Sequence, residues 1–244
     1  MSKESSTWRS PSLDRDVQLV RWGEVGRPVL IFSTAGGDAE EVERFHLIDA
    51  LSELLEEERI KAYSVDSLAG RAWLTESNSC ADGARVQNEY DACISREVVP
   101  AIRQDCGDDD IEIIVAGASI GAFNAVAALC RHPQIFSHAI CMSGTYDLEK
   151  FLEGPKTPEY FEASPLDFLP ELPEGEHLEA IRRRFVLLTH GEGRWEDPAQ
   201  SWRMAEALGG RGIPNRVDAW SEDHDHDWPT WREMLPKYLG EMLD

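Results

Sequence analysis

With 244 residues, 42% of them hydrophobic, the chain can form one large α/β domain or two small ones around a substantial core. Its formal net charge of −22 repels nucleic-acid backbones and anionic membrane surfaces, so we expect neither as a partner. The five cysteines are scattered and lack a CxxC pair, which argues against a disulfide framework or a zinc knuckle. Residues 1–16 are polar, and no stretch approaches the roughly 18 apolar residues of a membrane span. Together these features predict a cytoplasmic protein.

Short apolar runs predict the strands. The first two runs lie close together, and we expect them to form a hairpin at the edge of a sheet. Most runs are continuous rather than alternating, which is typical of strands covered on both faces. In chain order the predicted strands are residues 17–22, 29–32, 60–65, 111–116, 138–142, 185–189 and 216–220.

Segments with helical spacing separate most of these runs. Alternating strands and helices predict an α/β fold, a three-layer α/β/α sandwich with a mostly parallel sheet, in a single domain over residues 1–244. The predicted helices are residues 39–55, 84–103 with a kink at Pro100, 120–131, 198–208 and 229–243.

Residues 146–184 depart from this alternation, being long and rich in proline. This segment is either a cap-like excursion over the ligand-binding edge of the sheet or a surface loop with short helices.

The sequence Gly117-Ala118-Ser119-Ile120-Gly121 lies where a predicted strand turns into a predicted helix. Such a turn projects the serine from the backbone and leaves room only for glycine on both sides. The helix that follows offers free N–H groups to a developing negative charge. GxSxG alone is a weak pattern, but its position between strand and helix favours a nucleophile elbow with Ser119 as the nucleophile.

A nucleophilic serine needs a histidine base that is oriented by an acid. In a fold with this elbow the acid precedes the histidine along the chain. The loop after residues 185–189 offers Glu192, Glu196 and Asp197, and the loop after the last strand offers His224 and His226. His226 is the preferred base because it leads directly into the last helix. The two histidines could instead bind a metal, but no further ligands are clearly placed.

These residues together resemble the α/β-hydrolase superfamily, in particular small esterases related to polyhydroxyalkanoate-depolymerase-like proteins. The resemblance covers roughly residues 28–239. The elbow and the closing histidine are specific in combination, and the other motifs support them. The motifs are "STAGGDAEE", "GASIGAFNA", "MSGTYD", "GEGRWEDP" and "HDWPTW".

The resemblance implies that Ser119 attacks an ester carbonyl and forms an acyl-enzyme. It implies that His226 acts as base, then protonates the departing alcohol, and then activates water. The oxyanion would lie against backbone N–H groups of Ile120 and of the glycine turn near Gly36. Gly36 follows a predicted strand, where a glycine allows the backbone to approach a substrate closely.

The acid departs from the pattern of the superfamily. Many relatives have G-x-x-D after this strand, but here Gly191 leads to Arg194 at the position of the aspartate. We prefer Glu196 as the acid, followed by Asp197 and then Glu192. A glutamate suits the role, because the acid orients the imidazole and stabilises its charge rather than abstracting a proton.

Three functions fit this set of residues. The first is a serine hydrolase that cleaves small-molecule carboxylic esters, without a metal ion or an organic cofactor. The second is acyl transfer from the same acyl-enzyme to an alcohol or a thiol. The third is a catalytically silent α/β-hydrolase fold used for binding, which only the displaced acid supports.

Overall fold

The computed structural model of the protein describes residues 2–74, 79–151 and 154–244. Within these residues eight strands form one sheet in the order β1-β2-β4-β3-β5-β6-β7-β8. From β4 to β8 neighbouring strands are parallel, whereas β2 is antiparallel to both β1 and β4. The strands are β1 (Lys3–Ser10), β2 (Arg15–Trp22), β3 (Arg27–Phe32), β4 (Ile60–Val65), β5 (Ile113–Ala118), β6 (Phe136–Met142), β7 (Phe185–His190) and β8 (Asn215–Ala219).

Helices cover both faces of the sheet, which confirms the predicted three-layer α/β/α sandwich. β5 is buried along its whole length and consists of apolar and small residues without alternation, whereas the equally buried β4 also contains Lys61 and Tyr63. The helices are α1 (Glu41–Arg44), α2 (Leu47–Ala50), α3 (Ser52–Glu56), α4 (Leu68–Leu74), α5 (Cys80–Cys93), α6 (Val99–Cys106), α7 (Ile120–Arg131), α8 (Pro158–Ala163), α9 (Pro165–Glu171), α10 (Glu176–Ile181), α11 (Pro198–Gly210) and α12 (Trp228–Leu243).

The core has two parts, one on each face of the sheet. Helices α1 to α3 and α12 pack on one face through side chains such as Leu51 and Leu235. Helices α5, α7 and α11 pack on the other face, where Tyr90, Phe123 and Met204 are fully buried. None of the described helices is both long and apolar enough to cross a membrane.

The predicted hairpin of residues 17–22 and 29–32 is wrong. In the structure β4 lies between β2 and β3, with Leu19 opposite Val65 on one side and Val29 beside Ala62 on the other. The hairpin is formed instead by β1 and β2. Strand β1 is mostly exposed at the edge of the sheet, so its polar sequence carries no apolar run that could reveal it.

Two predicted helices are interrupted. Residues 39–55 form three short helices rather than one, with His46 in the left-handed conformation at a φ of 62° between α1 and α2. The kink predicted at Pro100 is a π-helical turn over Ile94–Val98, followed by α6 with Pro100 in its first turn. Proline lacks an N–H group, so it fits the start of a helix, where that donor has no partner.

The excursion predicted over residues 146–184 contains α8, α9 and α10, while its residues 152 and 153 lie outside the described residues. Helix α8 packs against α5, and α9 packs against α11 and α7. The excursion is therefore a set of short helices on one face of the sheet. Its role as a cap over the site stays a prediction.

Candidate active site

Ser119 lies at the junction of β5 and α7 in a strained backbone conformation, with a φ of 57° and a ψ of −121°. The two flanking glycines have no room for a side chain. A Cβ atom on Gly117 would collide with the backbone of Gly121, and one on Gly121 would lie 2.5 Å from the carbonyl oxygen of Phe32. The sequence therefore folds into a tight turn that only glycine permits on either side of the serine.

The loop after β6 holds this turn in place. The N–H group of Ser119 donates to the carbonyl oxygen of Met142 at 3.0 Å, and that of Thr145 donates to the carbonyl oxygen of Ser119 at 3.2 Å. The serine backbone is thus fixed from both directions. Its hydroxyl makes no hydrogen bond to any part of the chain that the structure describes, and the residue is partly exposed.

Glu196 and His226 come together from two different loops. Glu196 Oε2 lies 3.6 Å from His226 Nδ1, at ion-pair distance, and the glutamate side chain is only 2% exposed. The other carboxylate oxygen, Oε1, accepts hydrogen bonds from the hydroxyl of Ser143 at 2.5 Å and from the N–H group of Gly191 at 3.2 Å. A buried carboxylate with this set of donors is suited to carry a negative charge beside the imidazole.

Backbone contacts join the acid loop to the histidine loop. The N–H group of Gly193 donates to the carbonyl oxygen of His224, and that of His226 donates to the carbonyl oxygen of Arg194, both at 3.0 Å. Any side chain on Gly191 would collide with the carbonyl of His224. The two loops therefore pack backbone against backbone, which fixes the separation between the glutamate and the imidazole.

Arg194, at the position where the resemblance predicts an aspartate, has a different role in the structure. Its guanidinium pairs with the carboxylate of Asp225, with Nη2 2.8 Å from Oδ2. The pKa of Asp225 is held below its ordinary value, mainly by the hydrogen bond from the backbone N–H group of Arg194 and secondly by those from its side chain. This exposed pair adds a second connection between the same two loops.

The structure separates the other candidates from this pair. Glu192 is exposed to solvent, and Asp197 lies at the N-terminus of α11, where its carboxylate accepts a hydrogen bond from Gln200 at 3.2 Å. His224 has its Nδ1 3.0 Å from the hydroxyl of Ser221 and its Nε2 3.7 Å from Glu233. Among the described residues no group of three or more His, Cys, Asp or Glu side chains is arranged to hold a metal ion.

The two predicted oxyanion donors lie on α7 and on the turn after β3. Ile120 is the first residue of α7, so its N–H group has no acceptor within the helix. In the turn, Gly37 N–H bonds back to the carbonyl of Thr34. Ala35 and Gly36 lie between Thr34 and Gly37, and their N–H groups have no acceptor in the part of the chain that the structure describes. Gly36 is exposed to solvent. The free amide of Ala35 is not evident from the sequence.

Glu41 anchors this turn. Its carboxylate accepts hydrogen bonds from both the N–H group and the hydroxyl of Thr34, each at 2.7 Å, and the residue is 6% exposed. A Cβ atom on Gly37 would collide with the same carboxylate, which explains the second glycine of the turn. The sequence gives no signal for this role, because Glu41 reads as one more acidic residue of a helix.

Three non-glycine residues have positive φ angles at the ends of neighbouring strands or in the loop that follows. Ser119, Ser143 and Trp195 follow β5, β6 and β7, with φ angles of 57°, 46° and 67°. Trp195 is also 87% exposed, although it is next to the buried Glu196. Strained backbone of this kind is concentrated at functional sites, so its position at this rim supports a site here.

Comparison with known families identifies the kind of protein to which this strand–turn–helix and its neighbouring loops belong. The family model Esterase, described as "Putative esterase", matches residues 63–242. The chain belongs to the esterase family. The matched range contains the serine elbow and both loops of the Glu196–His226 pair. No curated protein matches this esterase.

Solved structures show the same fold. Those similar to the esterase include a ferulic acid esterase, with 16% identity and a TM-score of 0.74, covering 99% of this chain and 98% of that one. The S-formylglutathione hydrolase of Agrobacterium tumefaciens has 16% identity and a TM-score of 0.71, covering 99% and 95%. The fluorophosphonate-binding serine hydrolase F of Staphylococcus aureus has 13% identity and a TM-score of 0.71, covering 100% and 98%.

The fold and the family together confirm the α/β-hydrolase type predicted from the sequence. The family match also confirms the predicted ester hydrolysis: the protein is an esterase. The roles of individual residues are a separate matter, which depends on the geometry described above.

Proposed function

We propose that Ser119, His226 and Glu196 form the triad of this esterase, with Ser119 as nucleophile, His226 as base and Glu196 as acid. The observation that carries the proposal is the pairing of a buried, hydrogen-bonded Glu196 carboxylate with Nδ1 of His226. This pairing places a proton on Nδ1 and leaves Nε2 for the hydroxyl of Ser119. The 3.6 Å separation is longer than a hydrogen bond, and such contacts commonly shorten when substrate binds.

The reaction then proceeds in two halves. His226 accepts the proton of Ser119 as the serine oxygen attacks the ester carbonyl, and the tetrahedral oxyanion accepts hydrogen bonds from the N–H groups of Ile120 and Gly36. The intermediate collapses, the C–O bond to the alcohol breaks, and His226 gives its proton to the departing alkoxide. Water repeats the sequence on the acyl-enzyme and releases the carboxylic acid with Ser119 restored.

Turnover of a short-chain nitrophenyl ester tests this assignment. We expect steady hydrolysis by the wild type, with an initial burst of nitrophenol if deacylation is the slower half. Ser119→Ala should reduce the rate to background. Product analysis with an added alcohol distinguishes hydrolysis from acyl transfer, because transfer yields a new ester. Unchanged turnover by Ser119→Ala would contradict the proposal.

The substrate class is a finer proposal. The motifs of the chain resemble those of polyhydroxyalkanoate-depolymerase-like esterases, so we propose that the esterase belongs to that branch. Parallel assays with an oligoester of 3-hydroxybutyrate, a feruloyl ester and S-formylglutathione test the branch. A preference for the first substrate, as a higher kcat/KM, supports it, and a preference for either of the others contradicts it.

We further propose that the protein is located in a reducing compartment, the cytoplasm, and its cysteines support this location. All five are free, and four of them are buried. Burial raises the pKa of Cys93 and of Cys141 to about 12 each, so these thiols stay protonated and unreactive. We propose a cytoplasmic location, a small-molecule ester as the substrate, and no binding to nucleic acid or to membranes. Fractionation of cells followed by detection of the protein tests the location.

A further inference from the structure

The carboxylate of Glu196 is held on the side opposite to His226. Its Oε1 accepts two hydrogen bonds, from the hydroxyl of Ser143 at 2.5 Å and from the N–H group of Gly191 at 3.2 Å. Two donors occupy both lone pairs of this oxygen. Only Oε2 is left for the imidazole, and the orientation of the carboxylate therefore depends on what holds Oε1.

Trp231 determines the direction of the hydrogen bond from Ser143. The indole Nε1 of Trp231 lies 2.9 Å from Ser143 Oγ, and an indole N–H group can only donate. The serine oxygen therefore accepts from Trp231, and its single proton is directed at Glu196. A hydroxyl held in this way is a fixed donor to an ionised carboxylate, which makes a short and strong hydrogen bond.

The same indole also contacts the base. The rings of Trp231 and His226 meet edge to face, with centroids 5.3 Å apart and planes at 82°. Helix α12 begins directly after His226, where Asp227 caps it by accepting a hydrogen bond from the N–H group of Thr230 at 3.1 Å. The first turn of α12 thus brings Trp231 against both members of the acid–base pair.

We propose that Ser143 and Trp231 are positioning residues for the triad, and that they act as one unit through the sequence Trp231–Ser143–Glu196–His226. The proposal rests on the triad assigned above. Ser143 adopts its strained φ of 46° at the end of β6, and this conformation presents its hydroxyl to Glu196. Neither residue donates or accepts a proton in the reaction, although the ring of Trp231 lies against that of His226. Their effect is to keep Oε2 of Glu196 aimed at Nδ1 of His226.

Steady-state kinetics of Ser143→Ala, Trp231→Phe and the double variant test this proposal. We expect Ser143→Ala to lower kcat by about 10- to 100-fold with KM unchanged. This loss corresponds to the net free energy of one hydrogen bond to a charged group. Trp231→Phe keeps the ring but removes the donor, and should lose less. The double variant should be no slower than Ser143→Ala, because Trp231→Phe keeps a ring beside His226 and removes only the N–H group, which acts through the hydroxyl.

Two further variants keep the test independent of folding. Ser143→Gly removes the hydroxyl at a position whose positive φ suits glycine, so it should fold where Ser143→Ala does not. Trp220→Phe is the matched control, since it deletes an indole N–H group that donates to Tyr238 at 2.7 Å, away from the pair. We expect Trp220→Phe to retain wild-type kcat.

A spectroscopic measurement adds a direct readout of the pair. With a boronic-acid transition-state analogue bound, which should shorten the 3.6 Å contact, the proton between His226 Nδ1 and Glu196 should give a far-downfield resonance, assigned by its loss in His226→Ala. The resonance should broaden or disappear in Ser143→Gly, whose backbone suits the positive φ, and should be retained in Trp220→Phe.

The results of these experiments distinguish a failure of the positioning role from a failure of the triad assignment. Additive losses in the double variant, a rise in KM with unchanged kcat, or wild-type kcat in both Ser143 variants would overturn the positioning role. If Glu196→Gln abolishes turnover while the Ser143 variants are fully active, the triad stands and only the positioning role fails. If Glu196→Gln is also fully active, the triad assignment fails first.

Discussion

Glu196 Oε2 lies 3.6 Å from Nδ1 of His226, although the two residues belong to loops at the ends of different strands. The glutamate is two positions beyond Arg194, where the resemblance to the superfamily predicts an aspartate. The loop accommodates this shift because Arg194 turns outward to Asp225 and Trp195 adopts a φ of 67°. The carboxylate of Glu196 consequently points inward, between Gly191 and Ser143.

Replacement of Glu196 by glutamine tests the acid. The change keeps the shape of the side chain but removes its charge and puts an N–H₂ group where an acceptor is needed. We expect kcat to fall by about three to four orders of magnitude, as for the loss of the acid in other triads. Glu192→Gln and Asp197→Asn are the controls and should stay within about twofold of wild type. A larger loss in either control would assign the acid to that residue.

The two neighbouring histidines should behave differently when each is changed to alanine. His226→Ala removes the base, so ester turnover should fall by several orders of magnitude, on the order of 10⁴-fold or more. His224→Ala should retain most activity, because its ring contacts Ser221 and Trp220 rather than the acid. Initial rates at saturating ester measure both. Comparable losses would mean that the base is wrongly assigned.

Gly121→Ala should destabilise the fold as well as the site. The added Cβ atom would lie 2.5 Å from the carbonyl oxygen of Phe32, so α7 must move away from β3. Overpacking of this kind costs about 1–3 kcal/mol in the free energy of unfolding. Gly240→Ala is a matched control on α12, where nothing lies within 4 Å, and it should raise that free energy by about 0.5–1 kcal/mol. Urea unfolding measures both, and equal stabilities would refute the steric argument.

Ionisation of Asp105 should make the free energy of unfolding depend on pH in the acidic range. Its carboxylate accepts a hydrogen bond from Tyr63 at 2.6 Å and pairs with the almost fully buried Lys61, also at 2.6 Å. Burial raises the pKa of Asp105, but the hydrogen bonds from Lys61 and Tyr63 outweigh burial and hold that pKa below its ordinary value of 3.8. The folded state thus favours the ionised form of Asp105. Its contribution to the free energy of unfolding is complete above the pKa that Asp105 has in the unfolded chain, and it is lost as the pH falls through the lower pKa of the folded protein.

Asp105→Asn should therefore be less stable than wild type at neutral pH, where it leaves Lys61 buried without a counter-charge. The difference in the free energy of unfolding should stay constant from pH 7 to about pH 5 and shrink below about pH 4, where the wild-type carboxylate becomes protonated. Urea titrations at several pH values measure this difference. A difference that persists unchanged at pH 3 would show that the charge of Asp105 is not its cause.

The strand, turn and helix around Ser119 lie within one continuous stretch of sequence, and that stretch is sufficient to predict them. Helix α7 has the bounds predicted for it, and Ser119 lies at the predicted turn, because a continuous apolar run, two glycines and a small-residue helix all indicate the same local structure. Glu196 could be named only as one of three acids. The sequence shows that a carboxylate is present in the loop but not which one points inward.

Contacts between distant segments could not be predicted. Ser143 and Trp231 are 88 positions apart and meet only because β6 and α12 pack on each other in the folded protein. The position of β4 between β2 and β3 is likewise a property of the whole sheet, since chain proximity alone favours a hairpin. The polar edge strand β1 lacks the apolar alternation that identifies a half-buried strand.

The central claim is that the hydroxyl of Ser119 is activated for attack on a carbonyl. Incubation with a fluorophosphonate probe followed by mass spectrometry of the intact protein and its peptides tests it most directly. We predict one adduct per chain, located on Ser119, formed by the wild type, absent in Ser119→Ala and formed far more slowly by His226→Ala. Failure of the folded wild type to react, or an adduct on another residue, would contradict the claim.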